Sequence, residues 1–319
     1  MGIVFLLFSG CGAFKTGEFK ISGRVTEADG REGIAGVKIY YEKNYYSARY
    51  VWTDSSGYWS IWADENDRLL IWAEKAHHMF QPAPAKFTVD GKRDNINFQV
   101  VGWSDNFSDP NSGWVEDSYA KYIKDGTGED LYEILVTGVG SSVKVTAPMV
   151  MPTSYTLGVT GYTADVLPDV GGMYGIVFNV YSFSPGDYYY VFRVRPGDAY
   201  YELVKVEILS NGYTDSTTIL EGPNSIFTDS GINILEVRVN WNKVELCVNN
   251  EVVDSTTNFL PHDSSFVQAG LYAYAEAKSS HTVRFDDFNL SAIGFSPRWK
   301  VMGVMSSEQL LHKDLEIKE

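Results

Sequence analysis

Along most of this chain apolar and polar residues alternate one by one, in short runs separated by turn residues. That is the pattern of β-strands with one face turned to a core. The densest example is residues 171–205, GGMYGIVFNVYSFSPGDYYYVFRVRPGDAYYELVK. Three aromatic and β-branched runs are divided there by Ser184-Pro185-Gly186-Asp187 and Arg195-Pro196-Gly197-Asp198. The segment therefore predicts three antiparallel strands joined by tight loops. Alternation places Tyr174, Ile176 and Phe178 on one face of the first strand, with Val177, Asn179 and Tyr181 on the other. Tyr190, Phe192 and Val194 likewise oppose Tyr189, Val191, Arg193 and Arg195, and Tyr201, Leu203 and Lys205 oppose Tyr200, Glu202 and Val204. The first face of each strand reads as core. The second mixes aromatics, an amide and charges, and it points to a ligand-binding surface made of Asn179, Tyr181, Tyr189, Arg193, Tyr200 and Glu202.

The rest of the chain divides around this segment. Residues 1–18 are a leader and tether: MGIVFLLFSG is apolar but too short to span a bilayer, which needs about 20 apolar residues. Residues 19–102 carry a complete set of strand patterns. Among them Asp54-Ser55-Ser56-Gly57 predicts a hairpin loop, the Asp bonding backbone two residues on and the Gly taking a positive φ. Periodicity then breaks over residues 102–114, where turn residues dominate. Residues 103–293 form a second, larger β domain, in which Asn249-Asn250 predicts a two-residue turn. Residues 294–319 are a tail; Ser306 and Ser307 ahead of Glu308-Gln309-Leu310-Leu311 predict an N-cap and a short helix. The fold class expected is all-β, a small sandwich followed by a large one.

Composition sharpens this in two ways. Hydrophobic residues make up 44% and aromatics 14% of 319 residues, with 29 Gly and 21 Tyr, which suits sheets rather than helices. The formal charge of −15 repels a phosphate backbone, so nucleic acid is excluded as a partner. Of two cysteines Cys11 lies in the leader, which leaves Cys247 without a partner and the fold without a disulfide.

Three resemblances follow from the motifs. Leu7-Phe8-Ser9-Gly10-Cys11 resembles a bacterial lipoprotein signal, although Phe8 stands where leucine is usual and a basic n-region is missing. It implies a lipid anchor on Cys11, attachment to a membrane and an extracytoplasmic location in the cell envelope. The order Ile21-Ser22-Gly23-Arg24-Val25, Gly33-Ile34-Ala35-Gly36-Val37, Tyr58-Trp59-Ser60-Ile61 and Ile96-Asn97-Phe98 resembles the carboxypeptidase-regulatory-like, prealbumin-type sandwich. This implies a non-catalytic stalk. Asp105, Phe107, Asp109 and Ser112-Gly113-Trp114, with Gly270-Leu271-Tyr272-Ala273 and Val283-Arg284-Phe285-Asp286-Asp287-Phe288, resemble the concanavalin-A-like, laminin-G-like jelly rolls of bacterial surface proteins. In that family the first and last strands pair, which would bring Asp105 to Asp286 or Asp287 as ligands of a structural Ca²⁺, a cation that takes oxygen donors.

The expectation is a surface lipoprotein whose jelly roll binds carbohydrate or another envelope component. Two alternatives stand beside it, a glycan hydrolase or a subunit of one, and a purely structural envelope or adhesion protein. Hydrolases on this fold carry two carboxylates facing one way on one strand. No Glu-x-Asp-x-x-Glu pattern occurs here, and Glu202 is flanked at two-residue spacing by Tyr200 and Val204.

Overall fold

The computed structural model describes residues 17–293, apart from 29, 83, 150–153, 165–170, 183, 224, 228–230, 262–266 and 278–279. Cys11 and the tail helix expected beyond residue 294 lie outside the described residues. Among those described, the regular structure is β-strand with a single 3-10 turn at Pro196–Asp198, and no helix is long and apolar enough to cross a membrane.

The strands are β1 (Glu18–Thr26), β2 (Lys38–Lys43), β3 (Arg49–Trp52), β4 (Tyr58–Asp64), β5 (Arg68–Glu74), β6 (His78–Gln81), β7 (Ala85–Thr88) and β8 (Phe98–Asp105). There follow β9 (Ala120–Lys124), β10 (Asp130–Thr137), β11 (Ser141–Thr146), β12 (Ser154–Thr163), β13 (Gly172–Val180), β14 (Tyr188–Arg195) and β15 (Tyr200–Ile208). The last are β16 (Thr214–Pro223), β17 (Asn233–Asn240), β18 (Lys243–Val248), β19 (Glu251–Thr256), β20 (Gln268–Ala275) and β21 (Ser280–Ala292). The chain is all-β. It divides into two compact units, Met1–Val100 and Val101–Glu319.

In the first unit β1 and β4 pair antiparallel, and β3, β2, β5 and β7 form a four-stranded sheet in that order. Strict alternation drives both. Along β4 burial switches at every residue, with Trp59, Ile61 and Ala63 inside and Tyr58, Ser60 and Trp62 outside. The β2 and β5 strands bury Ile39, Leu69 and Ile71. The predicted loop before β4 closes as expected: Asp54 Oδ1 accepts from the N–H groups of Ser56 and Tyr58 at 2.9 Å, and Gly57 sits at φ 80°.

The second unit is a jelly-roll sandwich of two antiparallel sheets. One runs β19-β18-β17-β12-β21, with β10 and the second half of β8 also paired to β21; the other runs β11-β20-β13-β14-β15-β16. Between the sheets lie Tyr174 against Phe285, and Phe178 against Tyr190 and Phe259. A second aromatic nest joins Trp103, Phe107, Trp114, Tyr132 and Phe288, with ring centroids 4.9–5.8 Å apart.

Burial departs from the sequence pattern in the six-stranded sheet. All nine residues of β13 are buried, so its second face is not simply open to solvent. On that face Val177, Val180, Tyr189, Val191, Val204, Val206, Ile208 and Tyr272 form an apolar cluster of their own, with Tyr274 packed against it.

Candidate functional site

The site is built on the second face of the β11-β20-β13-β14-β15-β16 sheet, where register aligns one row of residues across all six strands. Lys144 lies opposite Tyr272, Tyr272 opposite Gly175, Gly175 opposite Arg193, Arg193 opposite Glu202 and Glu202 opposite Glu221. Gly175 is the gap in this row. With no side chain there, the Arg193 guanidinium can reach past β13 to β20, where Nη1 donates to the Tyr272 hydroxyl at 3.1 Å and the group lies 4.7 Å from the centre of the Tyr274 ring. On its other side Nε donates to Glu202 Oε1 at 2.7 Å. The arginine is thus held by a carboxylate, a phenol and a ring face at once, the planar donor fork suited to such a place. Burial works against its charge, but Tyr272 and Glu202 outweigh that, so Arg193 stays cationic. The phenol of Tyr272 is pushed up by its own burial, Arg193 opposing.

A second row begins beside it. Arg195 lies opposite Tyr200, its guanidinium 5.4 Å from the Tyr200 ring centre, and it is held by Asp198 at 2.9 Å and Glu276 at 2.7 Å. The Tyr200 hydroxyl donates to Glu221. Burial and that bond push its pKa up to about 12. Toward the apolar end the Lys144 ammonium stands 5.1 Å over the Tyr189 ring, its pKa lowered by burial. What results is a floor of fixed rings and planar charged groups, rimmed by the half-exposed Tyr274 and Tyr200.

Of the six ligand residues expected, Arg193, Glu202 and Tyr200 share this face and the first two touch. Tyr189 shares the face but is a correction: it is only 2% exposed, inside the apolar cluster, and cannot be a stacking platform. Asn179 is a second correction. A β-bulge between Val177 and Val180 turns it to φ 55°, and its Nδ2 donates to the carbonyl of Leu260, the carbonyl that also receives the Tyr188 hydroxyl. Tyr181 falls just beyond the end of β13 and is 51% exposed, outside the aligned rows. Tyr272, Tyr274 and Lys144 were not among the expected residues. Alternation along Gly270-Leu271-Tyr272-Ala273-Tyr274-Ala275 holds the signal for the tyrosines, since it sets both on one face.

The three acids expected to hold calcium do not form a cage. Asp105 is buried and serves the protein itself: Oδ1 accepts from the Phe107 N–H at 2.8 Å, and Oδ2 from the Trp114 indole at 3.0 Å and from the Ser112 hydroxyl. Asp286 and Asp287 lie in β21 where its register with β12 shifts, Asp287 at φ 50°. Among the described residues no group of three or more His, Cys, Asp or Glu is placed to hold a metal ion.

These features define an all-β protein whose larger unit carries an aromatic and charged face on a six-stranded sheet. No protein-family model matches the chain, and no curated protein matches it. Among solved structures it is similar to a GH16 enzyme from a mixed-linkage glucan locus of Bacteroides ovatus, at 8% identity over 59% of this chain and 99% of that one, TM-score 0.44. It is also similar to the carbohydrate-binding module CBM66 from Bacillus subtilis, at 16% identity over 57% and 96% of the two chains, TM-score 0.40. A third is a Bacillus licheniformis β-glucanase, at 9% identity over 60% and 98%, TM-score 0.42.

Proposed function

We propose that the second unit is a non-catalytic glycan-binding module, and that the chain is an extracytoplasmic surface lipoprotein tethered through Cys11 with its first unit as a stalk. The observation that carries the binding reading is Arg193, fixed between Glu202, Tyr272 and Tyr274 beside the Arg195–Tyr200 pair. Sugars are recognised by ring faces that stack on their C–H surface and by planar charged groups that bond their hydroxyls. Both kinds of group stand here already positioned, which lowers the ordering cost of binding. The test is a glycan array probed with the full chain and with Tyr274→Ala and Arg193→Lys. Either change is expected to weaken binding roughly tenfold, the loss typical of one strong contact. Array binding that neither change touches would sink the reading.

A hydrolase remains the second reading because of one observation. Glu202 and Glu221 lie directly opposite each other on β15 and β16. Cross-strand neighbours project side by side from one sheet face, and retaining glycosidases work with two carboxyl groups close together. Here one carboxylate is bound to Arg193 and the other to Tyr200, which favours a structural role. Release of reducing ends from any glycan bound, abolished by Glu202→Gln, would establish the enzyme. The tether has its own test: metabolic labelling with palmitate should mark the wild type and spare Cys11→Ser.

A further inference from the structure

The four-stranded sheet of the first unit carries a surface that a stalk does not need. Register sets Trp52 opposite Lys38 and Lys38 opposite Glu74, and in the next row Tyr50 opposite Tyr40 and Tyr40 opposite Trp72. The four rings form one continuous track. Trp52 meets Tyr50 edge-on at 5.7 Å, Tyr50 meets Tyr40 at 5.6 Å, and Tyr40 stacks on Trp72 at 5.3 Å with planes 9° apart. The core does not account for them, because Ile39 and Ile71, alternating with these positions, face inward and are fully buried. Trp52 is 54% and Tyr50 50% exposed. Contiguous apolar surface of this kind on a folded protein marks a binding site.

We propose that this track binds a neutral polysaccharide, with successive sugar rings laid along Trp52, Tyr50, Tyr40 and Trp72. Three features select that ligand. None of the six positions in these two rows is aliphatic, and aromatic side chains are the groups that stack on sugar C–H surfaces. Lys38 stands on the middle strand as a donor, its ammonium 5.4 Å from the ring centres of both Tyr50 and Trp52. Glu74 across from it is an acceptor, so hydroxyls find both partners at the track. Residues 1–100 hold seven Lys and five Arg against six Asp and six Glu, so this unit has no net charge to draw in a charged polymer, which favours an uncharged ligand. The site is separate from the face around Arg193 and does not depend on what that face binds.

The test uses the full chain on an array of neutral and acidic polysaccharides, comparing wild type, Trp52→Ala with Tyr50→Ala, Lys38→Met, and Tyr274→Ala in the second unit. Affinities are then measured by calorimetry for whichever polysaccharides are captured. The double change should weaken capture of at least one neutral polysaccharide roughly tenfold or more, with an unfolding midpoint unchanged from wild type, since both side chains are exposed. Lys38→Met should weaken the same ligand. Tyr274→Ala should leave it bound. The inference is overturned if no neutral polysaccharide is captured, if capture is confined to acidic ones, or if it survives the double change. Loss with Tyr274→Ala alone would overturn it as well while supporting the second-unit site.

Discussion

Tyr189 and Tyr274 show how little a residue's type says about its role. Both are tyrosines on the same sheet face, yet Tyr189 is buried among valines while Tyr274 is half-buried at the edge of the cluster with Arg193 against its ring. Tyr189→Ala should therefore cost roughly 3 kcal/mol or more of stability, the range for removing a large buried ring, and Tyr274→Ala much less. Urea unfolding of the two variants would show it, and equal midpoints would contradict the burial. Alternation identified the face, and with it Arg193, Glu202 and Tyr200, because side-chain direction in a strand depends only on parity. It was silent on Tyr189, since whether an outward position is covered depends on neighbours from distant strands, here Tyr272 and Lys144. Asp286 offers a pH test at the same scale. Burial, then the charge of Asp287, push its pKa up to about 6, above the value near 3.9 expected of an unfolded Asp. Between those values the folded state binds more protons than the unfolded one, so this group makes the fold more stable as pH falls through 6 toward 4. Asp286→Asn should raise the unfolding midpoint at pH 7.5 and lose that advantage near pH 4; a constant difference across the series would count against it.

Strands and turns were the most legible elements, because their signals are local. Asn249 and Asn250 adopt φ 52° and 68°, the double left-handed turn that a two-residue hairpin loop requires, and they close β18 on β19 without any glycine. Gly186, in the loop between β13 and β14, takes the positive φ of 94° that its turn signal predicts. The bulge at Asn179 was not legible. One extra residue on β13 reverses the alternation after Phe178, and nothing in Val177-Phe178-Asn179-Val180 announces it except an Asn, which tolerates the left-handed region. Two glycines explain how close the strands run in this sheet. A Cβ on Gly175 would stand 1.9 Å from the carbonyl oxygen of Phe192, and one on Gly270 1.9 Å from that of Val145. Neither oxygen can yield without moving its strand. Gly175→Ala should then destabilise by roughly 1–3 kcal/mol as an overpacked site and displace Arg193 from Tyr272. A variant with wild-type midpoint and wild-type ligand affinity would show that the sheet has slack there.

At the scale of the molecule the two units divide after Val100, and residues 102–114, although turn residues dominate them, are partly core of the second unit. The turn residues that signal a break are real, and Asn106, Ser108, Pro110 and Asn111 are exposed. Trp103, Phe107 and Trp114, spaced among them, are nearly fully buried in the second unit. A window dominated by Asp, Asn, Ser and Pro reads as linker because composition averages over these anchors. The chain here crosses from strand to loop while pinning an aromatic at each stage. Gly102, Trp103, Ser104 and Asp105 pair with β21. The Asp105 carboxylate then gathers the Phe107 N–H, the Ser112 hydroxyl and the Trp114 indole, and Phe107 and Trp114 close on Tyr132. The segment therefore belongs to the second unit's fold. A fragment of residues 101–293 should unfold cooperatively, whereas one of 115–293 loses a strand partner of β21 and three buried aromatics, each worth about 3–5 kcal/mol against typical total stabilities of about 5–15 kcal/mol. The shorter fragment should be unfolded by circular dichroism and calorimetry under conditions where the longer one is native. Asp105→Ala in the longer fragment should sit between them, costing about 1–3 kcal/mol for the buried donors it leaves without an acceptor. If 115–293 melts cooperatively at the temperature of 101–293, the aromatic nest is peripheral and residues 102–114 are a linker after all.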